Sequence, residues 1–198
     1  MAEETKPEAP AGGGAGSAPG GPKPPPKPAG PAVEPWESET VARLRARFGE
    51  AIQEASTYLG QNFLVIDAAK NVEICSYLKQ EEQFNMLADL TAVDYPQRPR
   101  RFELIYQLYS FPRNERLRVK TQVSENETVR SVTAVWHGAN WLEREAYDMF
   151  GIRFEGHPNM RRILLPEDWE GHPLRKDYGI IQQDVKWVQE NLHIESGQ

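Results

Sequence analysis

The chain has 198 residues, a formal net charge of −6 at pH 7 and a mean hydropathy of −0.66. Proteins that bind nucleic acid need a positive surface, so this charge argues against that class. The one cysteine, Cys75, excludes an internal disulfide, a four-cysteine iron–sulfur site and a zinc ribbon, and it fits a reducing compartment.

The first 35 residues differ in composition from the rest of the chain. They contain 10 of its 16 prolines and 7 of its 15 glycines, with too little apolar surface to offset the entropy of ordering, so we expect a disordered tail. Pro25–Pro28 spells P-x-x-P, a sequence that aromatic-lined grooves bind, although tails of this composition are more often linkers. No apolar segment follows Met1, so we expect no signal peptide. No run of about 20 apolar residues predicts a membrane span, so we expect a cytoplasmic protein.

Residues 38–83 predict two helices separated by a hairpin. Ser38 is placed to cap a short helix that Gly49 ends. Ile52–Leu59 and Phe63–Ile66 are β-prone runs separated by a glycine turn. Residues 70–83 have the spacing of an amphipathic helix.

On that second helix, Cys75 and Leu78 share the core side, with Lys79 or Glu82 on the far side. No histidine or cation is placed in the sequence to lower the pKa of the thiol. We therefore expect Cys75 to be a small buried hydrophobe and not a reactive group.

Three candidate strands follow: Met86–Tyr95, Arg101–Ser110 and Leu117–Val123. Apolar and polar residues alternate along the second and third, which is typical of a sheet with one solvated face. Turn residues between the three indicate antiparallel neighbours, with helices covering the opposite face. The predicted fold class is α+β, a two-layer sandwich of mainly antiparallel sheet and helices with a long irregular C-terminal arm.

Two further helices are predicted. The apolar spacing from Val129 to Trp136 fits one helix stripe, and Trp141–Phe150 forms the next helix. Asn140 and Glu143 have the spacing of a capping box at its start. Gly151 stands where a left-handed C-cap is needed.

Regular periodicity is lost after Gly151. We therefore divide the chain into a tail (1–35), an α+β domain (36–151) and residues 152–198, hereafter the C-terminal arm. Irregular sequence that carries Ile163, Leu164, Leu165 and Trp169 is unusual for a compact monomer. We expect another protein to cover these side chains.

The helix Trp141–Phe150 also carries charged residues. Glu143, Arg144, Glu145 and Asp148 fit an ion-paired, solvated ridge. Glu143 and Asp148 lie five residues apart, roughly 140° around the helix, so they do not converge as an acid and base pair.

Polar residues of the C-terminal arm give weaker signals. His157 and His172 each precede a proline and predict turn elements more than a zinc site. The basic pairs Arg161–Arg162 and Arg175–Lys176, together with Asp177, resemble interface composition when mixed with aromatic and aliphatic residues. No G-x-G-x-x-G, P-loop or G-x-S-x-G sequence is present.

The stretch from Ala139 to Ile152, ANWLEREAYDMFGI, resembles the signature of the 30-kilodalton subunit family of respiratory complex I, whose bacterial members are known as the C subunit. The family pattern E-R-E-x-x-D-x-[FL]-G continues as F-x-G-H-P-x-x-R-R-I-L and G-x-P-L-R-K-D-[YF], which correspond to Phe154–Leu164 and Gly171–Tyr178. The specific match covers residues 139–180, and the α+β pattern over 36–138 agrees with the fold of the family.

The resemblance implies a non-catalytic subunit of the peripheral arm of a proton-translocating NADH:quinone oxidoreductase, on the cytoplasmic face of the inner (plasma) membrane. It implies binding to the 49-kilodalton subunit and to neighbouring iron–sulfur subunits. It also implies no cofactor in this chain, with iron–sulfur clusters, FMN and quinone in partner subunits. The residues it assigns to a partner interface or to local structure are Glu143, Arg144, Glu145, Asp148, His157, Arg161, Arg162, Arg175, Lys176 and Asp177. The apolar residues Ile163, Leu164, Leu165 and Trp169, which we expect a partner to cover, complete the predicted interface.

Three alternative functions stay open. Related membrane-bound hydrogenases and formate hydrogenlyase contain homologous domains. A stand-alone enzyme would use Glu143 and Asp148. A protein-binding module would act through the proline-rich tail.

Overall fold

The structure is a computed structural model that describes residues 32–179 and 185–193. The predicted disordered tail, with its P-x-x-P sequence at Pro25–Pro28, lies outside the described residues except for its last four positions. The end of the C-terminal arm, residues 194–198, lies outside them as well.

The described residues form a six-stranded sheet, a two-stranded sheet and four helices. The strands are β1 Glu34–Pro35, β2 Ile52–Tyr58, β3 Gln61–Ile66, β4 Met86–Asp94, β5 Phe102–Ser110, β6 Glu115–Val123, β7 Thr128–Arg130 and β8 Arg153–Glu155. The helices are α1 Glu39–Phe48, α2 Asn71–Gln80, α3 Ala139–Phe150 and α4 Val185–Leu192. In the larger sheet the strand order is β1-β2-β3-β6-β5-β4, antiparallel throughout except for the parallel pair β3 and β6. The predicted α+β class with a mainly antiparallel sheet is confirmed.

The first two helices form for the predicted reasons. Ser38 Oγ accepts the N–H of Val41 at 3.2 Å, and Gly49 ends α1 with a φ of 56°. Helix α2 is shorter than the predicted 70–83. Cys75 is fully buried on its inner side, as predicted, and burial raises the pKa of the thiol.

The core lies on one face of the larger sheet. Alternate residues of β5 and β6 point into it, as predicted, and each buried aliphatic side chain contributes about 1.5–3 kcal/mol. These residues are Phe102, Leu104, Tyr106, Leu108, Leu117, Val119, Thr121 and Val123. Buried side chains of α1, α2 and α3 belong to the same core cluster, so these helices cover one face of the sheet.

The predicted helix from Val129 to Trp136 is wrong. Val129 lies in β7, where it is opposite Phe154 of β8 in a parallel pair. The chain then turns, with the N–H groups of Val135 and Trp136 both donating to Val132 O at 2.9 Å. The apolar residues of the stripe are buried, but a strand followed by turns buries them as well as a helix would.

The predicted capping box is also wrong. Helix α3 begins at Ala139, so Asn140 lies inside its first turn, and no side chain caps the helix start. Glu143 faces the core and binds the loop before the helix. Gly151 does end α3 in the left-handed conformation, with a φ of 77°.

Part of the C-terminal arm has regular structure that the sequence did not predict. Strand β8 extends the fold by pairing with β7, and α4 forms at Val185–Leu192. Between Gly156 and Gly179 the described chain consists of turns and irregular segments.

Candidate functional site

Helix α3 carries two fully buried carboxylates, Glu143 and Asp148, where the sequence predicted a solvated ridge. Glu143 shares the inner stripe with Ala139 and Ala146. Asp148 lies on another side of the helix, where the C-terminal arm covers it. Of the four charged residues of the predicted ridge, only Glu145 is exposed.

The Asp148 carboxylate holds a short stretch of the C-terminal arm by its backbone. Oδ2 accepts the N–H groups of Ile163, Leu164 and Leu165 at 3.0, 2.8 and 2.9 Å. Oδ1 accepts Arg162 Nη1 at 2.6 Å. Burial alone raises the pKa of Asp148, and these hydrogen bonds outweigh it, so the pKa lies below its usual value. Asp148 is therefore an ionised, fixed acceptor that orders residues 162–165.

Two arginines strengthen this contact. Arg162, which pairs with Asp148, also donates through Nη2 to Gly171 O at 2.9 Å. Arg144 donates from Nε and Nη2 to the carbonyl oxygens of Arg161 and Arg162, at 3.1 and 2.9 Å. The planar guanidinium suits such paired donation. Arg144 thus joins α3 to the C-terminal arm one helical turn before Asp148.

Residues 172–175 of the C-terminal arm bind the end of α3. The last carbonyl groups of a helix have no partner within it, and here those at 148–150 accept from His172 Nδ1, the Leu174 N–H and Arg175 Nε at 2.9, 3.1 and 2.6 Å. The cation of Arg175 is favoured at the negative end of the helix dipole. Burial, followed by the nearby arginines, lowers the pKa of His172.

Gly151 allows this closure by having no side chain. A Cβ built there would lie 2.5 Å from Arg175 Nη2 and 2.6 Å from His172 Nε2, in a backbone conformation that L-residues disfavour. The glycine therefore serves both the helix end and the close approach of the C-terminal arm.

A second charged cluster fixes residues 176–177. Asp94, at the end of β4, binds Arg101 at 2.7 and 2.9 Å and accepts the N–H of Lys176 at 2.7 Å. Arg101 Nη2 also donates to Asp177 Oδ1 at 2.6 Å. Hydrogen bonding from Arg101 holds the pKa of Asp94 below its usual value, although burial opposes it. Sequence reasoning missed Asp94 and Arg101, because no local pattern marks partners 82 residues apart such as Asp94 and Lys176.

Glu143 has a different role. Its carboxylate accepts Ser131 Oγ and the Val132 N–H, both at 2.7 Å, and fixes the loop before α3. Burial raises the pKa of Glu143 to about 7, and the two hydrogen bonds offset only part of this. Glu143 and Asp148 thus bind different segments, in agreement with the prediction that they do not converge.

Glu82 was predicted on the solvent side of α2, which is wrong. It lies beyond the helix end, is buried, and accepts Thr40 Oγ1 at 2.9 Å, Arg43 Nε at 2.7 Å and Arg113 Nη1 at 3.1 Å. The hydrogen bond from Arg43 lowers the pKa of Glu82 most, against the effect of burial. This cluster ties α1 to the strands and is another feature that sequence reasoning missed.

His157 and His172, the two histidines that precede a proline, each bind a different backbone carbonyl of α3. His157 Nδ1 accepts the Asn159 N–H at 3.0 Å, so Nε2 is the atom that donates to Asn140 O, at 3.1 Å. His172 binds the end of α3. Both therefore stabilise local turns and helix ends.

Three large apolar side chains are exposed on the outward side of this region. Trp141 and Leu164 are each 62% exposed and Leu174 is 54% exposed. Ile163, Leu165 and Trp169 are half-buried. The Trp169 ring packs on Trp187 of α4, with ring centres 5.6 Å apart, so its own chain covers part of it. The backbone N–H groups at 163–165 and the side chains of Arg162, His172 and Arg175 are thus bound to the body of the chain, while Leu164 and Leu174 face solvent.

Within residues 32–179 and 185–193, no group of three or more His, Cys, Asp or Glu side chains is placed to hold a metal ion. None of the helices in the same residues is long and apolar enough to cross a membrane. The site described above can order a segment and present a surface, since its carboxylates are occupied by protein donors.

Comparison with known proteins agrees with the sequence signature. Residues 64–184 match the family model described as "Respiratory-chain NADH dehydrogenase, 30 Kd subunit". The C subunit of NADH-quinone oxidoreductase from Geotalea uraniireducens is 46% identical over 148 residues, which cover 74% of this chain and 90% of that protein. The protein of the same name from Brucella ovis is 47% identical over 137 residues, covering 68% of each chain.

A solved structure has the same fold. A chain of the membrane-bound sulfane sulfur reductase, an archaeal respiratory membrane complex, superposes with a TM-score of 0.63 at 25% identity. The match covers 79% of this chain and 91% of that chain.

Proposed function

Because the chain belongs to the family of the 30-kilodalton subunit of respiratory-chain NADH dehydrogenase, we propose that it is a non-catalytic structural subunit of a proton-translocating NADH:quinone oxidoreductase. It would lie in the peripheral arm of the complex, on the cytoplasmic face of the membrane. Two relatives that it matches over about nine-tenths of their length bear the name of the C subunit of that oxidoreductase, which supports this assignment.

The proposal rests on which groups of the C-terminal arm face inward and which face solvent. The backbone N–H groups at 163–165 and the side chains of His172 and Arg175 are bound by this chain. Leu164, Leu174 and the neighbouring Trp141 of α3 are left exposed. Exposed aromatic and aliphatic side chains beside arginines are typical of interface cores. Residues 162–175 of the C-terminal arm are thus held in place before a partner binds, which reduces the entropy lost on binding.

We propose that the partner on this surface is the 49-kilodalton subunit, with iron–sulfur subunits nearby. Iron–sulfur clusters, FMN and quinone would belong to those partners. The residues of this chain do not fit a cluster of their own, because the one cysteine is fully buried in the core. This chain would contribute by fixing the positions of its neighbours.

The double variant Leu164→Asp with Leu174→Asp tests this surface. In cells that depend on this chain, we expect the variant to lose most of its association with the complex and most NADH-driven quinone reduction, because charges at the centre of an interface are strongly unfavourable. The purified variant should keep the thermal midpoint of the wild type, since both side chains are more than half exposed.

Val33→Asp is the matched control, because Val33 has the same 54% exposure as Leu174 and lies before β1. It should assemble and support activity as the wild type does. If the double variant assembles and supports quinone reduction equally well, this surface does not bind the partner.

The second candidate is an equivalent subunit of a related membrane-bound hydrogenase or formate hydrogenlyase-type complex. The likeness to the sulfane sulfur reductase chain supports it in one respect, that a chain of this fold also belongs to a respiratory membrane complex of another name. Purifying the native complex and comparing its oxidation of NADH, hydrogen and formate separates the two. Exclusive oxidation of hydrogen or formate would favour the second candidate.

A stand-alone enzyme that uses Glu143 and Asp148 has little support. Both carboxylates are fully buried and accept hydrogen bonds from this chain. Turnover by the purified chain that disappears in a folded Glu143→Gln variant would be evidence for it.

A further inference from the structure

A cleft of about 580 Å³ lies on the outer face of the larger sheet. The strand register places Met86 opposite Tyr109 and Tyr109 opposite Arg116, so these residues form one row across β4, β5 and β6. Side chains alternate between the two faces of a strand, and the neighbours Leu108 and Leu117 point into the core. The row therefore points away from the helices, and the cleft is separate from the surface of α3 and the C-terminal arm.

The charged side chains that line the cleft are cationic. Arg116 and Arg118 are alternate residues of β6, and no carboxylate is among the lining residues. Within the described part of the chain neither arginine forms an ion pair. Arg118 donates to the neutral amide oxygen of Gln61 at 2.9 Å, and its Nε is buried without a hydrogen-bond partner. Two uncompensated cations on a chain of net charge −6 form a local site for a negative group.

Large apolar side chains stand beside these cations. Phe111 is 64% exposed and Met86 is 41% exposed. The Phe111 ring packs edge-to-face on Tyr109, with ring centres 5.0 Å apart, and Tyr109 Oη donates to Asn114 at 2.6 Å. This contact holds an aromatic platform in place while most of its area stays open. Aromatic residues and arginines together are the usual anchors of protein–protein contacts.

We propose that this cleft binds an acidic segment of a second polypeptide, one that brings an aspartate or glutamate to Arg116 and Arg118 and an apolar side chain to Met86 and Phe111. Carboxylates match the geometry of the guanidinium group and accept two hydrogen bonds from it. The apolar half of the cleft adds the hydrophobic contact that a free phosphate or a nucleic-acid backbone does not provide. The overall negative charge of the chain also opposes binding of a polyanion. The proposal does not depend on which respiratory complex contains the chain.

Photo-crosslinking in the native assembly tests it. Full-length chain with Phe111→p-benzoylphenylalanine is expressed in its own cell, purified with whatever partners accompany it, irradiated and analysed by mass spectrometry. We expect one cross-linked peptide from another polypeptide, with aspartate or glutamate beside the attachment point. Adding Arg116→Glu and Arg118→Glu should lower the cross-link yield about tenfold or more, because the new glutamates would repel the acidic segment that the arginines attract.

Arg45→Glu is the matched control, since Arg45 is an exposed arginine of α1; it should leave the yield unchanged. Far-UV circular dichroism of each purified chain verifies folding. The proposal is overturned by a cross-link to residues 1–31 of this chain, to a segment without acidic residues or to lipid. It is equally overturned by no cross-link, or by a yield that the double arginine reversal leaves unchanged.

Discussion

The sheet domain and the C-terminal arm are ordered by different interactions. The domain is held by apolar side chains of β5, β6 and three helices in one continuous core. Within the C-terminal arm, Ile152 and Phe154 belong to that core, whereas residues 156–179 add only partly buried side chains such as Met160 and Leu165. This stretch is held mainly by polar contacts, of which the four hydrogen bonds to Asp148 are the most enclosed. A core distributes its free energy over many small contacts, whereas the arm concentrates it in single groups. The arm should therefore be released by one substitution that leaves the domain folded.

The largest effect is expected for Asp148→Ala. It leaves three backbone N–H groups without their acceptor and removes the carboxylate that pairs with Arg162. Breaking a buried charged pair costs about 3–5 kcal/mol. We expect proteases to cleave between residues 156 and 179 much faster than in the wild type. Cleavage rates followed by mass spectrometry measure this release.

Leu104→Ala supplies the contrast, because Leu104 is fully buried in the domain core. It should lower the free energy of global unfolding by about 2–5 kcal/mol in urea. The arm should not become selectively sensitive to protease. Equal selectivity in the two variants would contradict the difference between the regions.

The next effect is the pH dependence of stability that comes from Glu143, a buried carboxylate of the domain. Burial raises the pKa of Glu143 to about 7 in the folded chain, above its unfolded value. The folded state then binds the extra proton between these two pKa values, so this group's stabilisation is present at low pH and is lost as pH rises toward 7. Between pH 5 and pH 8 the free energy of unfolding of the wild type should fall by about 2–3 kcal/mol through this group, and Glu143→Gln should remove that fall. Urea unfolding of both proteins across this range measures it. A constant difference at all pH values would show that Glu143 does not titrate there.

The smallest effect comes from a pair of glycines with nearly the same backbone. Gly151 and Gly156 have φ values of 77° and 78°, but an added Cβ would meet Arg175 and His172 only at Gly151. Alanine should cost about 1–2 kcal/mol at either site through the left-handed conformation. Thermal unfolding of the two alanine variants gives the loss of stability at each site. The extra loss at Gly151 measures the clash of the added Cβ with Arg175 and His172. No excess would mean that the two side chains move aside freely.

The features that the sequence predicted well are those whose cause is local. Alternation along β5 and β6, the Ser38 cap and the Gly151 helix end each depend on a few consecutive residues, and the structure has them all. The apolar stripe from Val129 to Trp136 shows the weakness of local patterns, since β7 and its following turns satisfy the same spacing.

The polar site could not be predicted in the same way. Asp148 has the appearance of a surface residue on α3, and it is buried because residues 162–165 return to it. Glu82 and Arg43 are 39 residues apart, so nothing near either one indicates the pair. The family resemblance pointed to Asp148 and Arg162 without giving their contacts. What covers the exposed leucines is still a prediction.

The hydrogen bonds between Asp148 and residues 163–165 affect how the exposed surface at Leu164 can evolve. Asp148 binds their main-chain N–H groups, which every amino acid except proline supplies. The identity of the outward side chain at position 164 is therefore uncoupled from the way the segment is fastened. A different side chain at 164, matched by a change in the partner, would keep the same attachment. A change at 148 would lose that attachment whatever the partner presents.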